Sequence, residues 1–177
     1  MEVLYITSER LKLLKKDKRQ LAILGKRCGC SIAVNEDDAL EITNPDNDGY
    51  REYVARSVLF AYGRGFPLNT SEMLLNDDNY FETIDVGQLL GNEKRIHQVK
   101  ARVIGENGKT KTYIESVSGA KLSVYGDTIS FIGSPSQIEE ARTAVSILVD
   151  GGTHKLAYSR MESAHRKNQD QMHDATF

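Results

Sequence analysis

The fold turns on the stretch Val103-Ile104-Gly105-Glu106-Asn107-Gly108-Lys109-Thr110, followed by Ile114 and by Ser118-Gly119-Ala120-Lys121-Leu122. Two glycines three positions apart stand between an apolar dipeptide and a segment holding Lys109 and Lys111. Without a Cβ at either end, such a loop brings its backbone close to a sugar-phosphate chain. Gly108 also opens the next expected helix, where free N–H groups and the helix dipole favour phosphate. A bare Gly-x-x-Gly is a weak signal, because an ordinary turn between helices shows it too. Its weight comes from the elements around it.

Residues 92–104 read as a helix bearing Ile96, Val99, Val103 and Ile104, and residues 109–118 as a second helix stopped by Gly119. Residues 81–86 alternate as a strand before them. After them, 121–125 and 128–132 read as strands joined by the two-residue turn Gly126-Asp127. Ser134-Pro135 opens a helix with Ser as N-cap and Pro in the first turn; it carries Ile138, Ala141, Ala144, Val145 and Leu148 and stops at Gly151-Gly152. The first half has the same order. Residues 3–6 form a short strand and 8–27 a helical stretch capped by Ser8. Residues 31–34 and 39–42 are strands around an acidic turn, and 50–62 form an amphipathic helix ended by Gly63-Arg64-Gly65-Phe66-Pro67. A connecting helix is expected at 71–75, capped by Thr70 or Ser71. Strand–helix–helix–strand–strand–helix therefore occurs twice, an internal repeat.

Composition agrees with two small cores. The chain has 177 residues, 40% hydrophobic and 27% charged; aromatics are 7% with no Trp, so the cores are aliphatic. A net charge of −2 excludes a polycation that coats nucleic acid in bulk. The charge is blocked, however. Eight cations against Asp17 lie between Arg10 and Arg27, and seven acids against Arg51 between Glu36 and Glu52. Seven cations against Glu106 and Glu115 lie between Lys94 and Lys121. Such blocks are commonly solvated helix faces; two basic windows also fit an anionic ligand. Cys28 and Cys30 make no disulfide framework, no signal peptide is expected, and no apolar run approaches the roughly 20 residues of a membrane span. A reducing, cytoplasmic location is expected.

The element order with its Gly-x-x-Gly loop resembles a type I KH domain. That resemblance implies an α+β fold: tandem domains of β-α-α-β-β-α order, each a three-stranded antiparallel sheet packed by three helices. Ile104 and Ile114 would then line a narrow groove against the edge strand 121–125, holding about four single-stranded nucleotides per domain. A closer resemblance is carried by Ala55-Arg56-Ser57-Val58-Leu59-Phe60-Ala61-Tyr62-Gly63-Arg64-Gly65-Phe66, and by Leu74-Leu75-Asn76-Asp77-Asp78 with the strand 81–86. The segment from Ala141-Arg142-Thr143-Ala144 through Gly151 to His154 and Tyr158 adds to it. These resemble the Krr-like, partner-of-Nob family of two-KH-domain assembly factors of the small ribosomal subunit, in the compact archaeal form. The family implies a non-catalytic factor whose second KH domain binds the 3′-terminal region of small-subunit ribosomal RNA. It also implies contact with the PIN-domain endonuclease that matures that end, and with the α subunit of translation initiation factor two.

The expected domains are 1–66, a first KH-like domain with a degenerate loop; 67–79, a connecting helix and linker; 80–155, the second KH domain; and 156–177, a C-terminal helix and polar flexible tail. The residues expected to bind RNA are Arg102, Ile104, Gly105, Glu106, Asn107, Gly108, Lys109, Lys111, Ile114, Lys121 and Ser123. Secondary phosphate contacts are expected from Lys15, Lys16, Lys18 and Arg64. Two departures qualify the resemblance. The first repeat, aligned by Cys28-Gly29-Cys30-Ser31-Ile32, places Lys15-Lys16-Asp17-Lys18 where the loop glycines belong, so its lysines are left as point charges. Glu106 puts an acid into a loop that faces phosphate. Gly63-Arg64-Gly65 reads equally as a helix stop or as a seat for Arg64 and Phe66 on RNA or on the other repeat.

No cofactor or metal is expected: Cys28-Gly29-Cys30 supplies two thiolates where zinc takes about four ligands. His165 and His173 read as solvated. Asp77, Asp78 and Asp85 read as a capped turn and a strand end rather than a Mg²⁺ site, so no enzyme is expected. The alternative is a protein–protein adaptor in which RNA binding is secondary.

Overall fold

A computed structural model describes residues 1–174, apart from the side chains of Lys18, His173 and Asp174. The chain divides into two units, Met1–Asp77 and Asp78 onward. The first unit runs β1 (Glu2–Leu4), α1 (Ser8–Lys16), α2 (Lys18–Cys28), β2 (Ser31–Val34), β3 (Leu40–Thr43) and α3 (Gly49–Gly63). Its sheet has the order β1-β3-β2, antiparallel throughout, with Leu4 opposite Leu40 and Ile32 opposite Ile42. Leu11, Leu14, Leu21, Leu24, Leu40 and Ile42 are buried. The helical stretch expected at 8–27 is thus two helices. The leucines keep helical spacing across the break, which hides it, but Asp17 leaves the helical region at φ −125° and ψ 77°. Its N–H donates to the Leu14 carbonyl and its carboxylate accepts from the Arg19 N–H, so one residue closes α1 and caps α2.

The segment 55–66 is held by Arg10. Its guanidinium donates to the Tyr62 and Phe66 carbonyls and lies over the Tyr62 ring, 3.9 Å from the centroid. The expected connecting helix begins earlier, as α4 (Leu68–Ser71), and continues as a 3-10 turn at Glu72–Leu75. Neither Thr70 nor Ser71 caps it. It starts after Pro67, whose carbonyl takes the Ser71 hydroxyl. Leu74 and Ser71 are buried and Glu72 pairs with Arg27, so the segment packs into the first unit.

The second unit runs β4 (Tyr80–Asp85), α5 (Val86–Leu90), α6 (Glu93–Ile104), a 3-10 turn (Glu106–Gly108), α7 (Lys109–Ser118), β5 (Lys121–Tyr125), β6 (Thr128–Gly133), α8 (Pro135–Val149) and α9 (His154–Asp174). The sheet order β4-β6-β5 matches that of the first unit and leaves β5 at an edge. β4 stops one residue short of Val86 because Asp85 accepts the Gln88 N–H and starts α5. Ser134 and Gln137 form a reciprocal capping box at the head of α8. Ile96, Val99, Val103, Ile114, Leu122, Phe131, Ala141 and Val145 fill the core.

Within 156–177, expected as a C-terminal helix and polar flexible tail, the helix runs on continuously to Asp174, and residues 175–177 lie outside the described residues. Ala157 and Met161 enter the core, both fully buried. Further along, His165 Nδ1 lies 2.8 Å from the Glu140 carboxylate, and Asn168 donates to its other oxygen at 2.8 Å. Glu140 lies on α8 and is only 3% exposed, so it needs those partners. His165, expected in solvent, is therefore a packing partner of a buried acid.

Candidate nucleic-acid interface

The Gly105–Gly108 loop is built from three positive-φ residues. Gly105, at φ 75° and ψ 172°, closes α6; Asn107 follows at φ 52° and Gly108 at φ 75°. The two glycines are needed for different reasons. A Cβ at Gly105 would lie 2.3 Å from the Thr110 hydroxyl and 2.7 Å from its backbone nitrogen, so the chain's own packing excludes a side chain there. A Cβ at Gly108 would meet nothing within 4 Å. That side is open. Gly108 is the N-cap of α7, and no side chain caps that end. The positive end of the α7 dipole is therefore left without a side-chain partner, and a helix N-terminus in that state favours an anion.

The expected RNA contacts fall into two groups. Ile104, Glu106, Asn107 and Lys109 are exposed at the loop, with Ile104 at 37%, and Lys121 is exposed at the start of β5. Lys111 is half-buried and sits 3.8 Å from Glu115, one turn on. The structure gives three others different roles. Ile114 is fully buried in the core, so of the two isoleucines only Ile104 faces outward. Ser123, opposite Ser130 in the sheet, is buried. Arg102 turns its guanidinium onto the Leu148 carbonyl at 3.0 Å and onto the Gly152 carbonyl, closing the α8 end.

Arg102 belongs to an anchor that sequence reading missed. His154 Nε2 lies 3.0 Å from the Arg102 carbonyl, Tyr158 donates to the Thr110 hydroxyl at 3.2 Å, and the Tyr113 and Tyr158 rings lie 4.5 Å apart. Tyr113 in turn donates to Glu162, which holds its phenol above the ordinary value. The start of α9 thus fixes both sides of the loop, α6 and α7. His154 and Tyr158 stood out in the sequence only through the family resemblance. Thr110 gave no signal, because its part depends on the φ of Gly105.

In the first unit the expected phosphate contacts are mostly engaged. Lys15 pairs with Asp38, and the Arg64 guanidinium lies over the Phe60 ring, 5.2 Å from its centroid. Phe66 is buried at 2%. Lys16 is exposed; the side chain of Lys18 lies outside the described residues. Cys28 and Cys30 are buried and unpaired by disulfide, and burial, with Cys30 and Glu72 nearby, pushes the Cys28 thiol up to about 11. Among the described residues, no group of three or more His, Cys, Asp or Glu gathers to hold a metal ion, and no helix is long and apolar enough to cross a membrane.

Comparison with known proteins agrees with this geometry. Residues 80–166 match the model for the second KH domain of Pno1, described as a eukaryotic-type KH domain of type I. A KH domain-containing protein of Methanocaldococcus jannaschii is 31% identical over 170 residues, covering 94% of this chain and 75% of that one. The RNA-binding protein pno1 of Dictyostelium discoideum is 28% identical over 111 residues, 62% of this chain and 46% of that protein. In the crystal structure of an a/eIF2alpha–aDim2p–rRNA complex from Pyrococcus horikoshii, a chain superposes with a TM-score of 0.84 at 32% identity, covering 94% of each chain. With its Gly-x-x-Gly loop between α6 and α7 and its β4-β6-β5 sheet, the chain belongs to the Pno1/Dim2-like KH-domain proteins.

Proposed function

We propose that the chain is a non-enzymatic RNA-binding factor of small ribosomal subunit assembly. Its second unit, read as the second KH domain of a tandem, holds single-stranded ribosomal RNA from the 3′-terminal region at the Gly105–Gly108 loop. The observation that carries this reading is the uncapped α7 N-terminus behind a Gly108 whose outer side is open. Lys109 and Lys111, in the first turn of α7, bring positive charge to that seat, Lys121 on β5 is a further contact, and Ile104 offers an apolar surface to the bases. The first unit adds phosphate contacts through Lys16. The proposed protein partners are the α subunit of translation initiation factor two, supported by the relative solved with that factor and rRNA, and the PIN-domain endonuclease. The proposed site of action is the cytoplasm.

Gly108→Asp and Gly108→Asn form the test. Both side chains tolerate a positive φ better than most, but only Asp places a negative charge against the phosphate. Gly108→Asp is expected to weaken single-stranded RNA binding at least about tenfold, or about 1.4 kcal/mol, beyond Gly108→Asn. Equal binding by the two folded variants would remove the loop from the interface. Unchanged capture of a protein partner by Gly108→Asp would leave the adaptor reading in force for that partner.

A further inference from the structure

We infer that a cleft on the α9 side of the Gly105–Gly108 loop is a further nucleobase subsite, one that selects a base carrying an exocyclic amino group. The inference rests on the proposed RNA-binding function and extends it. The cleft measures about 450 Å³ and is walled by Ala101, Glu106, Lys109, Thr110, His154 and Tyr158, all in the second unit. No β5 residue contributes to it, so it is distinct from the groove expected between the loop and that edge strand. A strand seated by its phosphate on the loop would have one neighbouring nucleotide leaving toward β5 and the other toward α9.

The lining suits a base. An alanine methyl, the Tyr158 ring and the His154 ring supply apolar and aromatic surface, and Lys109 stands at the mouth for the attached phosphate. The polar groups at the mouth have a definite sense. A carbonyl accepts only, so His154 Nε2, 3.0 Å from the Arg102 oxygen, donates there and is spent within the fold. The carboxylate of Glu106, also in the lining, is an acceptor. That acceptor matches the amino group of cytosine or adenine and opposes the O4 carbonyl of uracil. This gives Glu106 a purpose. An acid beside a phosphate seat weakens binding, and the loss is offset when the carboxylate takes a hydrogen bond from the right base.

Binding of uridine oligoribonucleotides in which a single cytidine is walked through every position tests the inference, read by fluorescence anisotropy. In the wild-type chain one register is expected to bind about three- to tenfold tighter than all-uridine RNA, the worth of one net hydrogen bond. Glu106 is exposed, so Glu106→Ala keeps the fold. It is expected to abolish that preference while raising affinity for all-uridine RNA, because a repulsive charge is gone. Glu106→Gln, whose amide oxygen still accepts, is expected to retain part of the preference. A cytidine preference that survives in Glu106→Ala, or wild-type binding without preference at any register, would overturn the subsite and leave the RNA-binding function standing. A wild-type chain that binds none of these oligomers would overturn both.

Discussion

The two units share sheet order, yet the junction between α1 and α2 and the junction between α6 and α7 are built in opposite ways. In the first, Lys16 passes through Asp17 directly into α2, and the Asp17 carboxylate itself occupies the helix N-terminus, accepting from Arg19. In the second, a glycine stands at that place, and the N-terminus of α7 has no side-chain cap. An acid at the cap satisfies a donor internally and repels phosphate; a glycine leaves the donors for a ligand. The residue at the cap, Asp17 in one and Gly108 in the other, thus distinguishes a helix junction that satisfies itself from one that is open to an anion.

The largest effect expected from breaking this contrast is at Gly105. Gly105→Ala forces a Cβ onto Thr110 and a side chain into a backbone region that only glycine occupies readily. It should cost the second unit about 2–3 kcal/mol in chemical denaturation and abolish RNA binding with it. Asp17→Ala removes the cap of α2. A loss of about 1 kcal/mol is expected, confined to first-unit amides in hydrogen exchange, with RNA affinity not reduced. Replacing Lys15, Lys16 and Lys18 together by Ala should flatten the salt dependence of RNA binding by about 0.7 of a log–log unit for each single-strand phosphate left unneutralised, with base preference unchanged. Lys16→Ala alone should reproduce more of that change than Lys15→Ala, since Lys15 already serves Asp38.

The smallest effect is confined to alkali and to one unit. The Cys28 thiol is raised from 9.0 to about 11 in the fold, so the native state keeps a proton that the unfolded chain releases first. Its stabilising contribution is full below pH 9.0 and is lost as pH rises toward about 11. Hydrogen exchange across that range should show protection falling in the first unit ahead of the second, which contains no cysteine. Rapid alkylation of Cys28 at pH 8 in the native protein would contradict the burial that causes the shift.

How much of this was legible depended on whether the determinant was local. Helix 109–118, the strand pair around Gly126-Asp127 and the Ser134 cap are set by neighbours in sequence, and the structure reproduces them. The Gly-x-x-Gly loop was legible as a motif, but not the separate duties of its glycines, because Gly105 answers to Thr110 through the fold of the loop. Apolar periodicity marks Ile104 and Ile114 alike and does not say that one faces solvent and the other the core. Arg102 read as a cation for phosphate because its carbonyl partners at Leu148 and Gly152 lie about half a domain away in sequence. The helix beyond Glu162 was invisible for the same reason: its polar face is held by Glu140, which no local pattern reveals.

The dependence of the second core on α9 has a consequence for the order of biosynthesis. The first unit has its own sheet and buried leucines, so it can fold while the rest of the chain is still being made. The second unit cannot close its core until Ala157 and Met161 have left the ribosome, and the same helix delivers His154 and Tyr158 to the loop. A nascent chain therefore acquires an ordered Gly105–Gly108 loop only after α9 has emerged. On the proposed function, half-made protein would not capture RNA at that loop, through nothing more than the order in which residues are added.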